Sequence, residues 1–299
     1  MIRPLNPETD AAGVVDLIHE VFRAGTTTTE SWLQQHASIP ARARHAEWVA
    51  IVDGAVAARA EASLKWFSDT GSAFAGISVH PSFRRRGIGG DLWEVAKQHL
   101  DALAPSRVFT MFTETPEGVA FARARGFAEV RAETLSCVDP RTVEAAALES
   151  LSTRLVPLRD VPAEDVYEVD MITTADVPMT EAVTNLPFDE WLETIWRRPT
   201  MTLDGSFAAI EDDRVACVTM LAANIERGRA FNEYTATLRA YRRRGLAEQV
   251  KRASLRWAAE NGIQAVWTTN DETNAGMLAL NSRLGYTPRM RRVEYLREN

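Results

Sequence analysis

The run Arg84-Arg85-Arg86-Gly87-Ile88-Gly89-Gly90 concentrates the residue types that hold an anion. Ahead of it, Phe74-Ala75-Gly76-Ile77-Ser78-Val79 reads as a buried strand. Behind it, Leu92, Val95 or Ala96, His99 or Leu100, and Leu103 recur at helical spacing. A strand that enters an Arg- and Gly-rich turn and leaves as a helix is a ready anion site. The N–H groups of a first helical turn have no partner within the helix and point forward, and the helix dipole adds positive charge there. Glycine lets backbone approach an anion with no Cβ in the way.

The elements needed to position this run occur twice. Arg242-Arg243-Arg244-Gly245-Leu246-Ala247 repeats it, with the strand Glu233-Tyr234-Thr235-Ala236-Thr237-Leu238 before it and Leu246, Val250, Ala253 and Trp257 at helical spacing after it. Gly126-Phe127 and Gly285-Tyr286 follow at nearly equal distance, each after a short helix. Upstream, two strand patterns join through Asp53-Gly54 in one half and Asp212-Asp213 in the other, the mark of a hairpin. Ile2-Arg3-Pro4-Leu5 and Leu155-Val156-Pro157-Leu158 open the halves. The sequence therefore predicts an α/β chain of two similar domains, residues 1–145 and 151–299. The Ala-, Leu- and Glu-rich stretch 144–153 is expected to form a helix packed between them.

Bulk properties narrow the classes. A formal net charge of −7 disfavours a general nucleic-acid surface. No apolar run approaches the roughly 20 residues of a membrane span, and the N-terminus has no secretion signal. Cys137 and Cys217 are too few and too far apart for a disulfide framework or a zinc site. His19, His36, His45, His80 and His99 show no metal-ligand spacing, so no metal is expected. The expectation is a cytoplasmic protein without nucleic-acid or membrane partners, as a monomer or homodimer.

Val79, Pro81, Arg84, Gly87 and Gly89 resemble the acyl-CoA pyrophosphate loop of the GNAT (Gcn5-related) N-acetyltransferases, and R-x-x-G-x-A at residues 242–247 resembles it again. The resemblance covers the whole chain. It implies two tandem GNAT domains, each a mixed, mostly antiparallel sheet flanked by helices with a splayed acyl-CoA cleft. Acetyl-CoA would lie with its diphosphate on Arg84, Arg85, Arg86, Gly87, Ile88, Gly89 and Gly90. In the second copy the counterparts are Arg242, Arg243, Arg244, Gly245, Leu246 and Ala247. Backbone at Ile77 and Val79, or at Thr235 and Thr237, would hold the pantetheine arm. Asn274 best matches an Asn that bonds this arm; otherwise the Asn residues of this unit cap a helix, a role that suits Asn270 better than Asn274 or Asn281.

An alkyl ammonium titrates near pH 10, so attack on a thioester near neutrality needs a proton acceptor. Glu233, whose counterpart in the first copy is Phe74, is the preferred base. Alternation places it on the face of Thr235 and Thr237. Glu61 and Glu114 are the first copy's alternatives. The family's acid is usually a Tyr four positions before the Gly of Gly-Phe/Tyr, and here those positions hold Ala122 and Asn281. Either Tyr234, Tyr241 or Tyr286 stands in, or the thiolate leaves without a dedicated acid. Trp191 and Trp196 are core residues or the walls of a pocket for a bulky acceptor. The resemblance thus implies acetyl transfer to a primary amine of a small molecule such as an antibiotic or amino sugar, with the second copy preferred for chemistry on Glu233 and Asn274. Its alternatives are acetylation of a protein lysine or N-terminus, and acyl-CoA binding without catalysis.

Overall fold

The computed structural model describes all residues except 69, 144–152, 178–179 and 182–183. The strands are β1 (Ile2–Pro4), β2 (Ala46–Val52), β3 (Ala55–Leu64), β4 (Ala73–Val79), β5 (Arg107–Thr113), β6 (Ala128–Val138), β7 (Arg154–Pro157), β8 (Met201–Glu211), β9 (Arg214–Asn224), β10 (Arg229–Thr237), β11 (Ala265–Asp271) and β12 (Thr287–Glu298). The α-helices are α1 (Pro7–Val21), α2 (Thr29–Ser38), α3 (Ile88–Leu103), α4 (Pro116–Arg123), α5 (Ala163–Thr174), α6 (Phe188–Trp191), α7 (Leu246–Glu260) and α8 (Ala275–Arg283). The helix expected at 144–153 falls, apart from Thr153, outside the described residues. Among the described residues, no helix is long and apolar enough to cross a membrane.

The chain forms two compact units, and they are not its two contiguous halves. The first comprises Met1–Ala132 and Arg291–Asn299 together with Thr180, Glu181 and Thr184. Its sheet runs β1, β2, β3, β4 and β5, all antiparallel neighbours except the parallel pair β4 and β5. The sixth strand comes from the far end of the chain: residues 292–298 of β12 pair antiparallel with β5. Glu181 is fastened to this unit by Lys65 Nζ at 2.5 Å, Thr70 Oγ1 at 2.6 Å and Ser72 Oγ at 2.9 Å.

The second unit comprises Glu133–Pro178 and Asn185–Met290. It repeats the same order with β7, β8, β9, β10 and the parallel β11, and here the sixth strand is the end of β6, residues 133–138. The boundaries read from the sequence, 1–145 and 151–299, therefore differ from the compact units at both C-terminal strands. A repeat in sequence locates the copies of a strand pattern but not the sheet that each copy joins.

Small residues set how closely the helices lie. Ala58, Ala60 and Ala62 of β3 and Ala73 and Ala75 of β4 are buried under Leu92, Trp93, Ala96 and Leu100 of α3. In the second unit Gly205 lies under the Trp257 ring, where a Cβ would come within 2.5 Å of an aromatic carbon. The hairpin turns match their sequence reading, with Asp53 and Gly54 at φ 50° and 80°, and Asp212 and Asp213 at φ 51° and 56°.

The entry of the first unit is clamped by Arg3, which donates to Asp10 through Nη1 at 2.6 Å and Nη2 at 2.7 Å; Asn6 N–H donates to the same carboxylate at 2.8 Å. This ties β1 to the first turn of α1, and Asp10 is 4% exposed. The Arg3 hydrogen bonds outweigh burial and hold the Asp10 carboxyl at about 2. A carboxylate depressed below its unfolded value contributes stability above about pH 4 and loses it as the pH falls through about 2. Asp10→Asn is expected to cost about 1–2 kcal/mol at pH 7. In thermal melts, the gap between it and the parent protein should close between about pH 4 and 2.

Candidate functional site

In the first unit, β4 and β5 pair only at Ala73 with Val108 and Phe74 with Phe109. Beyond these two pairs the strands part, and a cleft of about 540 Å³ opens. Its β4 wall includes Gly76, Ile77, Ser78 and Val79, its β5 wall Thr110, Phe112 and Thr113. The other edge of β4 is bonded to β3 along its length.

The loop read from the sequence closes one end of this cleft. Pro81–Phe83 makes a 3-10 turn, which His80 caps by accepting from Ser82 N–H at 3.2 Å. Arg84 then returns to extended backbone and donates through Nε to the Val79 carbonyl at 3.2 Å. Arg85 has φ 64° and Gly87 φ 83°, so the chain coils left-handed just before α3 begins at Ile88. No side chain caps that helix start, and a Cβ at Gly87 would meet nothing within 4 Å. The two left-handed residues thus turn the amides of the loop and first turn toward an open concavity, the form of an anion nest. Arg86 is turned away, donating to Ser82 O at 3.1 Å with its guanidinium over Phe83.

Arg125 was not singled out from the sequence, yet it lines the cleft at the start of α3. Its guanidinium lies 3.4 Å from the Phe121 ring centroid, Nη1 donates to Phe121 O at 3.1 Å, and its buried Nε has no partner. Burial lowers its pKa from the ordinary arginine value. The available signal was its position directly before Gly126-Phe127.

At the other end of the cleft are Val21, Phe22, Phe74, Glu61 and Arg292. Glu61 and Glu117 are the carboxylates among the described residues that line the cleft, and Glu61 lies over β4. It accepts from Arg59 Nη2 at 2.9 Å, and Arg59 Nε also donates to Glu47 at 2.6 Å. Glu47, Glu61 and Gly76 are successive partners across β2, β3 and β4. A Cβ at Gly76 would come within 2.9 Å of Glu61 Oε1, so a glycine here keeps the carboxylate over the strand. Burial alone would raise the Glu47 carboxyl, but the hydrogen bond from His45 and the charge of Arg59 hold it at about 2. Glu114, the other acid weighed in this half, sits at the surface and accepts from Arg291 at 3.2 Å.

The second unit repeats the turn of the loop and carries a cluster of bonded polar side chains on β9, β10 and α7. Arg242 donates to Thr237 O at 3.0 Å, and Arg243 and Gly245 have φ 65° and 79°. Arg239 and Arg242 both bond Asp176, and Arg244 donates to Glu211 at 3.0 Å and lies over Tyr241. Here β10 and β11 pair over four residues rather than two, Arg229 to Asn232 with Ala265 to Thr268. Thr235 bonds the Thr219 hydroxyl at 2.9 Å and Asn232 Oδ1 at 3.0 Å, and Thr237 donates to Cys217 Sγ at 3.1 Å. Lys251 of α7 is 2% exposed, donates to Asn232 Oδ1 at 2.5 Å and lies over the Tyr286 ring.

Several expectations for this half change. A bulge between Asn232 and Tyr234 breaks the alternation of β10, so Glu233 does not share the face of Thr235 and Thr237; it is exposed and bonded to Arg198. Tyr286 is 4% exposed in an apolar core, and burial raises its pKa. Burial also raises the pKa of Tyr234, whose hydroxyl bonds Thr173. Asn274 is the N-cap of α8, accepting from Met277 N–H at 3.1 Å, because the helix starts at Ala275; Asn270 instead accepts from Asn281 at 2.5 Å. Trp191 is fully buried and Trp196 stacks on it, which makes them core. The histidines also differ from their linear reading: His36 and His45 converge with Glu47.

The sequence matches the family model described as the acetyltransferase (GNAT) family over residues 12–127 and 166–286. Among curated proteins, none matches. The fold is similar to that of a GCN5-related N-acetyltransferase from Sphaerobacter thermophilus, with a TM-score of 0.72, 18% identity, and 100% of this chain and 95% of that one covered. It is also similar to a tandem GNAT protein from the clavulanic acid biosynthesis pathway, with a TM-score of 0.73, 22% identity and coverage of 100% and 98%.

Burial lowers the Lys251 ammonium to about 7. An amine depressed on folding binds its proton more weakly than in the unfolded chain, so stability rises with pH between about 7 and 10. The contribution approaches about 1.4 kcal/mol per pH unit in that window. Lys251→Met should remove this slope, read as the pH dependence of the denaturant midpoint.

Proposed function

Because this chain belongs to the acetyltransferase (GNAT) family, we propose that it is an acetyl-CoA-dependent N-acetyltransferase whose reaction runs in the cleft of the first unit, on a primary amine of a small molecule. The observation that carries the reading is the parting of β4 from β5 directly beside the uncapped start of α3. The diphosphate of acetyl-CoA would rest on the amides of residues 84–90, with Arg85 and Arg125 as nearby charges. The pantetheine arm would take up hydrogen bonds on the β4 edge at Ile77 and Val79, where β5 no longer pairs and Arg84 Nε meets the Val79 carbonyl.

The amine would enter past Val21, Phe22 and Phe74. These apolar walls favour an acceptor with an apolar body. Glu61 takes the ammonium proton, the freed amine forms the N–C bond, and the C–S bond breaks to release CoA thiolate. Positioning lowers the barrier by replacing a chance encounter with a held geometry. Ala122 stands where a phenol would protonate the leaving group, so the thiolate takes its proton from solvent or from the amine nitrogen. This reading gives Glu233 and Tyr286 no part in the chemistry and makes the second unit a structural partner, its arginine loop engaged by Asp176.

Thiol release from acetyl-CoA against a panel of amines tests the proposal. Gly87→Asp, which sets a carboxylate in the anion nest, should abolish turnover, and Gly245→Asp should leave it intact. Glu61→Gln should lower kcat by roughly 10²- to 10⁴-fold, the usual worth of a general base. Turnover that survives Gly87→Asp and fails with Gly245→Asp would place the reaction in the other unit.

A further inference from the structure

On the same face of β2 and β3 as Glu61, three side chains from α2, the segment before β2 and β2 itself meet at a point. His36 lies in the last turn of α2, His45 lies just before β2, and Glu47 is the second residue of that strand. His36 Nδ1 is 3.1 Å and His45 Nε2 2.7 Å from the same Glu47 oxygen, Oε1. All three donor atoms lie within 4.8 Å of one another. We propose that His36, His45 and Glu47 form a binding site for a transition-metal dication of the zinc type.

Tetrahedral zinc bonds of about 2.0–2.1 Å place neighbouring ligand atoms roughly 3.3 Å apart. The distances of 3.1 and 2.7 Å to Glu47 Oε1 would open toward this value, and the two imidazole nitrogens, no more than 4.8 Å apart, would settle at it, a rearrangement within side-chain reach. Two imidazole nitrogens and one carboxylate oxygen suit Zn²⁺, whereas Ca²⁺ and Mg²⁺ take mainly oxygen donors. The set is held in place from outside. The Trp32 ring, 5% exposed, stacks on His36 at 5.0 Å, and His36 meets His45 edge-on at 5.9 Å. Arg59 Nε donates to the second oxygen of Glu47 at 2.6 Å and leaves Oε1 directed at the histidines. A donor that orients a ligating carboxylate in this way is the usual outer layer of a metal site.

Charge also decides the matter. Arg59 opposes a cation, yet Glu47 and Glu61 together outnumber it, so the cluster with neutral imidazoles carries one net negative charge before an ion enters. The imidazole side chains are 25% and 12% exposed, which leaves a path for the ion and a position for water as a fourth ligand. The alternative is a carboxylate that merely accepts three hydrogen bonds, and it predicts no affinity for zinc.

Isothermal titration of the untagged full chain with ZnCl₂ at pH 7.5 separates the two. The expected result is one Zn²⁺ per chain, reversed by EDTA, with no heat from MgCl₂ or CaCl₂. His36→Gln and His45→Gln keep side-chain size and polarity, and each should weaken binding by roughly a hundredfold or more; circular dichroism reports that the variants fold. Cys137→Ser should bind as the parent does. No zinc binding by the parent, or binding undiminished in the double histidine variant, would overturn the proposal.

Discussion

Two residue pairs of parallel ladder join β4 to β5 in the first unit, and the site depends on the ladder stopping there. A strand bonded on one edge and open on the other still carries N–H and C=O groups that require partners. That requirement, together with the space opened by the parting strands, is what makes the cleft a place for a ligand with its own amides. In the second unit the ladder continues for two more pairs, and Thr219, Asn232, Thr235 and Lys251 bond among themselves. The copies therefore differ in how far the two strands stay paired and in the polar cluster beside them, while the backbone turn of the loop, left-handed at Arg85 and Gly87 and at Arg243 and Gly245, recurs in both.

The arginine-glycine loops were legible because they are local. A left-handed residue before a helix start demands glycine or a tolerant side chain, and the order of residue types records this within seven positions. The repeat of loop, helix and Gly-aromatic pair likewise survives in linear order, and with it the α/β class and the family. Glu61 was legible only as one acid among several. Its distinction arises from Gly76 across the ladder and Arg59 beside it, relations that no single stretch of sequence contains.

The remaining differences share that cause. The bulge at Glu233 shifts the phase of a strand whose residue types alternate acceptably without it. Asn274 and not Asn270 is the cap because α8 begins at Ala275, a boundary that propensity does not resolve. Arg125 stands out only where its guanidinium approaches Gly90 and Trp93 of α3, a relation between α3 and the turn that follows α4. His36 and His45 are separated by eight residues, and only the turn between α2 and β2 brings them to one carboxylate.

The strand that completes the first unit lies at residues 292–298, some 180 positions after the strand it pairs with. During synthesis on a ribosome, the edge of β5 therefore stays bare while the whole second unit is being made. Burial of Tyr295 beside Phe112, and the seating of Arg297 over Trp93 and Phe127, come only once β12 has followed the strands of the second unit. An interrupted chain ending anywhere in the second unit would hold the anion loop and Glu61 but expose a sheet edge open to pairing with other chains. Closure of the first unit is thus tied to the making of a strand that follows the second unit in the chain.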